Sequence, residues 1–189
     1  DVILLDDGFQ HRRLARHLDI VTVDPVHPYG NDHLLPRGEM REQPRGLTRA
    51  HASVVTRWRD DYRREKLDRM VRFYNKQLRM FYAYAVPAGI REPGGTGRRE
   101  ADTVRGKRVL ALSNIARPEG FHLMLADLGA DIAARRVMPD HFRYDAETCN
   151  AIVEDARSSG VDMIVMTAKD EQNLPGGAFA AFEACVLDI

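Results

Sequence analysis

The chain has 189 residues, of which 44% are hydrophobic and 30% are charged, and its formal net charge is zero. This composition is typical of a folded globular protein with one domain of ordinary size or two small ones. It contains no apolar run of about 18 residues that would predict a membrane span. Its two isolated cysteines, Cys149 and Cys185, exclude a disulfide framework.

The zero net charge conceals two halves of opposite sign. Residues 1–100 carry 19 Lys and Arg against 14 Asp and Glu, whereas residues 101–189 carry 9 against 14. Arginine dominates the basic half, and its planar guanidinium suits phosphate groups and anionic membrane surfaces. An ordinary solvated surface would carry the same arginines, so both interpretations stay open. The basic residues do not follow a nucleic-acid recognition pattern, which argues against a nucleic-acid partner.

The first eleven residues predict a buried strand that ends in a cluster of polar side chains. Val2–Leu5 is apolar throughout and leads into Asp6, Asp7, Gly8 and then His11. In parallel α/β proteins, functional groups gather at the carboxyl ends of strands. A Mg²⁺ ion would offset the repulsion between adjacent carboxylates there, although an ordinary Asp-Gly turn is the alternative. Because a domain rarely opens in a central strand, we expect the sequence to begin inside a longer domain.

Strands and helices alternate along the rest of the chain. Ile20–Asp24 and Ala52–Thr56 are predicted strands, and a long loop rich in Pro, Gly and charge lies between them. The later predicted elements are a helix over Asp61–Leu78, a strand over Met80–Val86, a turn at Pro93–Gly97, a strand over Arg108–Leu112, a helix over Arg117–Leu128, a strand over Ile132–Met138, a helix from its cap Asp145 to Ser159, and strands over Asp162–Thr167 and Ala184–Leu187. This alternation predicts an α/β fold with a parallel sheet flanked by helices.

Four groups of chemically versatile residues fall at strand ends or in the loops beside them. They are Asp6-Asp7 with His11, the loop pair Arg41-Glu42, the pair Asp140-His141, and Lys169. The loop pair sets an anion-binding cation beside a carboxylate. A His with an adjacent Asp supplies a general base, or is simply a turn, and a Lys at a strand end could meet phosphate. Taken singly, none of the four groups is specific.

Taken together and in order, the motifs resemble the tetraacyldisaccharide 4′-kinase family, the lipid A 4′-kinases. The strings that carry the resemblance are Asp6-Asp7-Gly8-Phe9-Gln10-His11, Tyr29-Gly30-Asn31, Leu34-Leu35-Pro36-Arg37-Gly38-Glu39-Met40-Arg41-Glu42, Pro139-Asp140-His141 and Thr167-Ala168-Lys169-Asp170. The first string is highly specific to that family. The resemblance runs from Val2 to about Leu174, which is nearly the whole chain.

The resemblance implies an enzyme of lipid A and lipopolysaccharide biosynthesis in Gram-negative bacteria. It implies a kinase that uses ATP and Mg²⁺ to phosphorylate the 4′-hydroxyl of a lipid A disaccharide 1-phosphate precursor. It also implies a peripheral position at the cytoplasmic face of the inner membrane. In fold, it implies a P-loop α/β/α domain whose C-terminal part is residues 1–78, a two-stranded linker over residues 79–105, and a smaller α/β domain over residues 106–189.

The resemblance further implies roles for residues in the first half of the chain. Asp6 and Asp7 would occupy the Walker B position, where Asp7 would contribute to catalysis. Asp6, Asp7 and Glu42 would lie near Mg²⁺. Arg41 and His11 would contact the substrate.

The second half matches the family pattern less closely. His141 would assist the catalytic base from the second domain. Residues 113–118 lack both glycines of the family's Gly-Ile-Gly-Asn-Pro stretch, and Phe142 replaces a second histidine. No G-x-x-x-x-G-K-[ST] motif occurs in the 189 residues, so we expect this chain to be inactive alone. The alternative is a non-catalytic relative that binds anionic glycolipid through its Arg-rich surface.

Overall fold

Each half of the chain is organised around a sheet of mainly parallel strands. The computed structural model describes residues 1–60, 62–139 and 142–189. The chain divides into a first unit, Asp1–Ala85, and a second unit, Val86–Ile189. Among the described residues, no helix combines the length and the apolar character that crossing a membrane requires.

The first unit contains a three-stranded parallel sheet. Its strands are β1 (Ile20–Val23), β2 (Ala52–Val55) and β3 (Arg79–Tyr82), and their spatial order is β1-β2-β3. A 3₁₀ helix over Pro44–Arg49 precedes β2, and helix α1 (Arg64–Arg72) lies between β2 and β3 in the chain. The two strands predicted on either side of the long loop, from Ile20 and from Ala52, are therefore confirmed, and each is one residue shorter than expected.

Helix α1 covers one face of this sheet. Leu67 and Val71 are four residues apart, so they share one side of the helix, and both are buried with Val55 in the core of the first unit. The opposite face is covered less completely: Ala52 is buried and Val54 partly buried there, but the other strand residues on it are exposed. Ile20 and Phe81 lie on that face, and each is more than half exposed. A parallel sheet ordinarily has both faces covered.

The prediction of a strand at Val2–Leu5 is wrong. These residues pair with no strand among the described residues, and the side chains of Val2, Ile3 and Leu4 are 86% to 94% exposed. An apolar sequence favours a buried strand only where hydrogen-bonding neighbours exist on the sheet. In the described chain β1 is the edge strand of its sheet, and Val2–Leu5 does not pair with it.

The second unit contains a six-stranded sheet in the order β5-β4-β9-β8-β6-β7. Its strands are β4 (Gly89–Arg91), β5 (Arg98–Arg99), β6 (Arg108–Ser113), β7 (Asp131–Val137), β8 (Met163–Thr167) and β9 (Ala184–Asp188). Strands β7, β6, β8 and β9 are parallel, whereas β4 is antiparallel to both β9 and β5. The four parallel strands match the sequence predictions to within one residue at either end.

Helices pack on both faces of the second sheet. They are α2 (Glu119–Asp127), α3 (Ala146–Ser158) and the short α4 (Ala168–Glu171), and a 3₁₀ helix covers Ala101–Val104. Alternate residues of β6 enter two different cores, one shared with α3 and one shared with α2. Because both faces are covered, the central strands are apolar throughout. The prediction of an α/β protein with parallel sheets is confirmed.

Residues 79–105 contribute to both sheets. β3 belongs to the sheet of the first unit, while β4 and β5 form an antiparallel pair at the edge of the second sheet. The turn predicted at Pro93–Gly97 connects that pair. The boundary between the units falls at Ala85 and Val86. The division into residues 1–78, a two-stranded linker over 79–105, and residues 106–189 stays a prediction.

Candidate functional site

The two polar groups predicted in the first unit touch each other in the structure. Arg41 Nη1 donates to Asp7 Oδ2 at 2.6 Å and Nη2 donates to Asp7 Oδ1, so the ion pair is bidentate. Asp7 has a φ of 52°, in the left-handed region, and both side chains are more than half exposed. The hydrogen bond from Arg41 holds the pKa of Asp7 below its ordinary value. Asp7 is therefore a carboxylate that orients an accessible guanidinium.

Glu42, the next residue, is also bound to the segment that follows Asp7. Its carboxylate accepts hydrogen bonds from Arg12 Nη2 at 3.0 Å, from Gln10 Nε2 at 3.3 Å and from Arg49 Nη2 at 2.8 Å, and its side chain is 18% exposed. Burial would raise the pKa of Glu42, but the hydrogen bonds from Arg49 and Arg12 outweigh burial and lower it. Adjacent residues of the long loop thus bind residues 7–12 through opposite charges.

Two neighbouring features hold Glu42 in place. The guanidinium carbon of Arg49 lies 4.4 Å from the centroid of the Phe9 ring, which is a cation–π contact. The backbone of Gly46 approaches the carboxylate so closely that a Cβ there would lie 2.7 Å from Glu42 Cδ. An alanine at position 46 would therefore force the Glu42 carboxylate to shift.

The predicted magnesium ligands are not assembled as a metal site. Both oxygens of Asp7 accept from Arg41, and Glu42 is enclosed by guanidinium and amide donors. Asp6 is exposed. Nowhere in the described ranges do three His, Cys, Asp or Glu side chains form a group that could hold a metal ion. In this arrangement the carboxylates fit guanidinium groups rather than Mg²⁺, and the role of Asp6, Asp7 and Glu42 as metal ligands stays a prediction.

The long loop that carries Arg41 and Glu42 is anchored to the first unit. Tyr29 Oη donates to the carbonyl of Met70 in α1 at 2.7 Å. Asn75 Nδ2 donates to the carbonyls of Leu47 and Ala50 at 3.0 and 2.9 Å. His11, the other predicted substrate contact, lies in a turn where its N–H donates to the carbonyl of Gly8, and it is exposed. Its role stays a prediction.

In the second unit, buried polar groups meet at the carboxyl ends of β6 and β8. Asp170 is completely buried and accepts hydrogen bonds from Tyr144 Oη at 2.6 Å, from the Thr167 N–H at 3.1 Å and from the Thr167 hydroxyl. The backbone N–H of Asn114 adds a further bond. Burial raises the pKa of Asp170, and these hydrogen bonds oppose the rise. We call Asn114, Tyr144, Thr167 and Asp170 the Asp170 cluster.

The remaining predicted residues of the second unit are placed less fully. Lys169 is half-buried in the first turn of α4, between Thr167 and Asp170, and its contact with phosphate stays a prediction. Asp140 and His141 lie outside the described residues. The assisting role of His141 is therefore also a prediction.

Sequence reasoning missed Arg12 and Arg49 around Glu42, and it missed Tyr144. The arginines are two among many in a basic half, so nothing in the local pattern distinguishes them. Tyr144 meets its partner 26 residues away, which no local pattern can indicate. A signal did exist for Asp170, because Thr-x-x-Asp directly after a strand is a capping-box pattern.

The fold and its polar sites define a parallel α/β protein whose loops pair arginines with carboxylates. The family model described as tetraacyldisaccharide-1-P 4′-kinase matches residues 1–189, so the chain belongs to that family. The family resemblance inferred from the sequence is thereby confirmed.

Relatives and a solved structure agree with the family assignment. The tetraacyldisaccharide 4′-kinase of Anaeromyxobacter dehalogenans (strain 2CP-C) is 40% identical over 191 residues, covering 96% of this chain and 48% of the relative. That of Syntrophus aciditrophicus (strain SB) is 37% identical over 199 residues, covering 100% and 53%. The crystal structure of the "apo" form of LpxK from Aquifex aeolicus in complex with ATP matches with a TM-score of 0.57 and 22% identity, over 97% of this chain and 50% of that one, which shows the shared fold. The chain spans about half the length of the curated relatives it matches.

Proposed function

We propose that the complete gene product containing residues 1–189 is an ATP-dependent kinase, with Mg²⁺ as cofactor, that phosphorylates the 4′-hydroxyl of a lipid A disaccharide 1-phosphate precursor. The observation that carries this proposal is the family match over every residue of the chain. Relatives at 37% to 40% identity that bear the name tetraacyldisaccharide 4′-kinase add support.

The contacts in the first unit suit the chemistry of this proposal. Phosphoryl transfer requires mainly the positioning of substrates and the neutralisation of charge. Arg41 is accessible, and Asp7 holds its guanidinium in a fixed orientation. A guanidinium has five N–H donors, and Arg41 gives two of them to Asp7, so the remaining donors can bind a phosphate oxygen. Arg41 is therefore suited to bind an anionic group of the substrate, and Asp7 is suited to present it.

We extend the proposal to a peripheral location at the cytoplasmic face of the inner membrane. A lipid A precursor lies in a membrane, so its kinase has to work at that surface. Support comes from a groove of about 350 Å³ at the start of α1, whose lining residues are Arg63, Arg64, Glu65, Lys66 and Arg69. Basic residues near an anionic membrane contribute about 1 kcal/mol each to binding.

The test compares two proteins: the complete gene product and a polypeptide of residues 1–189 alone. Each is incubated with ATP, Mg²⁺ and a tetraacyldisaccharide 1-phosphate in mixed micelles, and the 4′-phosphorylated product is measured by mass spectrometry. We expect product from the complete protein and none from residues 1–189, because no G-x-x-x-x-G-K-[ST] sequence is present to position the β and γ phosphates.

The outcomes separate the kinase from the binding alternative. A folded complete protein that makes no product would refute the proposal. If that protein binds the glycolipid without consuming ATP, the non-catalytic, Arg-based binding function is the correct one. In the complete gene product, the substitution Arg41→Lys keeps the positive charge and removes the bidentate fork. It therefore tests whether the protein depends on the fork of Arg41 or on its charge alone.

A further inference from the structure

One side of helix α1 faces solvent in the first unit. The other side packs on the sheet through Leu67 and Val71, which are buried. Residues three and four positions away from Arg69 share the solvent side of the helix with it. We call this set, whose members are all exposed, the outer face of α1; it consists of Glu65, Lys66, Arg69, Arg72 and Phe73.

The outer face of α1 is cationic. It carries three Lys and Arg against the single carboxylate of Glu65, and residues 63–76 as a whole carry six against two. Asp68, the second carboxylate of this stretch, accepts a hydrogen bond from Tyr82 Oη of β3, so it is turned towards the sheet. Within the part of the chain that the structure describes, the three cations of the outer face form no ion pair with an Asp or Glu. Their charges are therefore open to an external anion.

Phe73 adds an apolar ring to this face. It is 78% exposed, more than any other large apolar residue of the described chain outside residues 2–4. Its ring packs edge to face against Tyr74 with centroids 5.0 Å apart, and Tyr74 packs in the same way against Tyr29 at 5.9 Å. A single exposed apolar residue is common on protein surfaces. Here the ring stands among cations, which is the combination that suits the boundary between lipid headgroups and acyl chains.

The arrangement favours a lipid bilayer over a single phosphate group. Lys66 and Arg72 are separated by about 9 Å along the helix axis, so the cations match a plane of many anionic headgroups better than one anion. An apolar ring gains from leaving water at a bilayer and gains nothing from a free phosphate. Arg63 and Arg64 line the groove at the start of α1 and extend the cationic surface beyond the outer face.

We propose that the complete protein contacts an anionic lipid bilayer through the outer face of α1, with Phe73 inserted among the headgroups and the three cations against the lipid phosphates. The inference rests on the peripheral location proposed above and names its contact surface. The apolar side of α1 is occupied by the core of the first unit, so the helix meets the bilayer without leaving the fold. Each cation strengthens binding about fivefold, so the contact is reversible.

The test measures co-sedimentation of the complete gene product with vesicles, without ATP and without a lipid A precursor. Vesicles of equal parts phosphatidylglycerol and phosphatidylcholine supply an anionic surface, and vesicles of phosphatidylcholine alone supply a neutral one. We expect the triple substitution Lys66→Gln, Arg69→Gln and Arg72→Gln to weaken binding to the anionic vesicles about 100-fold at about 0.1 M salt, because three fivefold contributions multiply. Wild-type binding should fall steeply as the salt concentration approaches about 1 M.

Substitutions of Phe73 test the ring separately from the charges. Phe73→Ser should weaken binding to the anionic vesicles about tenfold, because the apolar area that the ring would bury is lost. Phe73→Trp keeps an aromatic ring, so its binding should stay within about twofold of wild type. Equal binding by the Ser and Trp variants would show that the ring does not enter the bilayer, and would overturn its part in the proposal.

A triple substitution in the second unit is the matched control. Arg99→Gln, Arg105→Gln and Lys107→Gln remove the same charge from exposed residues outside α1. We expect this variant to bind the anionic vesicles within about threefold of wild type, because a charge further than a Debye length of about 10 Å from the lipid contributes little. Thermal melts check that each variant is folded. Should the α1 triple variant fail to melt cooperatively, Arg69→Gln alone replaces it, with an expected loss of about fivefold.

The outcomes separate this surface from the proposed kinase function. Equal losses in the two triple variants, wild-type binding by the α1 variant, or equal binding of the wild type to neutral vesicles overturns the α1 surface and leaves the kinase proposal intact. Release from the anionic vesicles by millimolar inorganic phosphate also overturns it, because that result indicates a single phosphate site. A protein that binds vesicles through α1 but makes no product in the mixed-micelle assay confirms the surface and refutes the kinase.

Discussion

Arg91 on β4 holds the edge of the second sheet, and replacing it with methionine is expected to destabilise the second unit by roughly 2 kcal/mol. Arg91 Nη1 donates to Glu171 Oε1 at 2.5 Å and Nη2 to Oε2, while Nε contacts Asp188 Oδ2 at 3.2 Å. After the substitution, Asp188 keeps Arg98 at 3.0 Å, and of its partners in the described residues Glu171 keeps the N–H of Gly94.

The magnitude follows from the intermediate burial of this pair. The side chains of Arg91 and Glu171 are each 18% exposed. Their ion pair is therefore intermediate between a surface pair, which contributes about 0–1 kcal/mol, and a buried pair, whose breakage costs about 3–5 kcal/mol. Hydrogen bonding to Arg91 lowers the pKa of Glu171 in the folded state. The stabilisation is therefore present above the unfolded pKa of about 4.3 and is lost as pH falls through the folded pKa.

The assay is urea unfolding followed by far-UV circular dichroism at pH 7 and at pH 3, with hydrogen exchange of β9 to locate the change. Arg136→Met is the matched control, because its partner Asp155 is more exposed and the pair should contribute under about 1 kcal/mol. A double variant Arg91→Met with Glu171→Gln should recover part of the loss. Equal effects of the two arginine substitutions at pH 7, or an undiminished Arg91→Met effect at pH 3, would refute the reasoning.

Three further predictions concern the first unit and the cysteines. Asp7→Ala should lower kcat of the complete gene product at least about tenfold, because its arginine partner loses its orientation; steady-state kinetics at saturating ATP measure this. Gly46→Ala should lower the free energy of unfolding by about 1–3 kcal/mol, because the added Cβ collides with the Glu42 carboxylate. A thermal melt measures this loss. Burial raises the pKa of Cys185 to about 12 and also raises the pKa of Cys149, so both thiols should resist Ellman's reagent until the protein unfolds.

The sequence predicted the second unit well because its signals are local. The apolar runs at β6 and β8 are bounded by turns, and Asp145 caps α3 with a bond from the Thr148 N–H at 2.8 Å, as its position indicated. The same reasoning failed at Val2–Leu5, where the run is equally apolar. Strand formation depends on a neighbour in space, and composition does not report whether that neighbour exists.

The candidate sites were predictable in part for the same reason. Asp7, Arg41 and Glu42 were singled out by residue type and order, and the structure brings Asp7 and Arg41 into contact. Arg12 and Arg49, which bind Glu42, were not predictable because they are two arginines among many in the basic half, and Tyr144 was not predictable because it meets Asp170 26 residues away. Burial also changes what a residue does: Asp170 looks like an ordinary helix-start carboxylate in sequence, yet it is the centre of a closed network.

The open face of the first sheet matters for anyone who handles residues 1–189 as an isolated polypeptide. Ile20 and Phe81 present apolar surface there. Val2, Ile3 and Leu4 add exposed apolar side chains on a segment that pairs with no strand among the described residues. Exposed apolar surface beside free strand edges is a template for intermolecular pairing. We expect this polypeptide to self-associate as its concentration rises, which light scattering measures, and to bind hydrophobic dyes while natively folded.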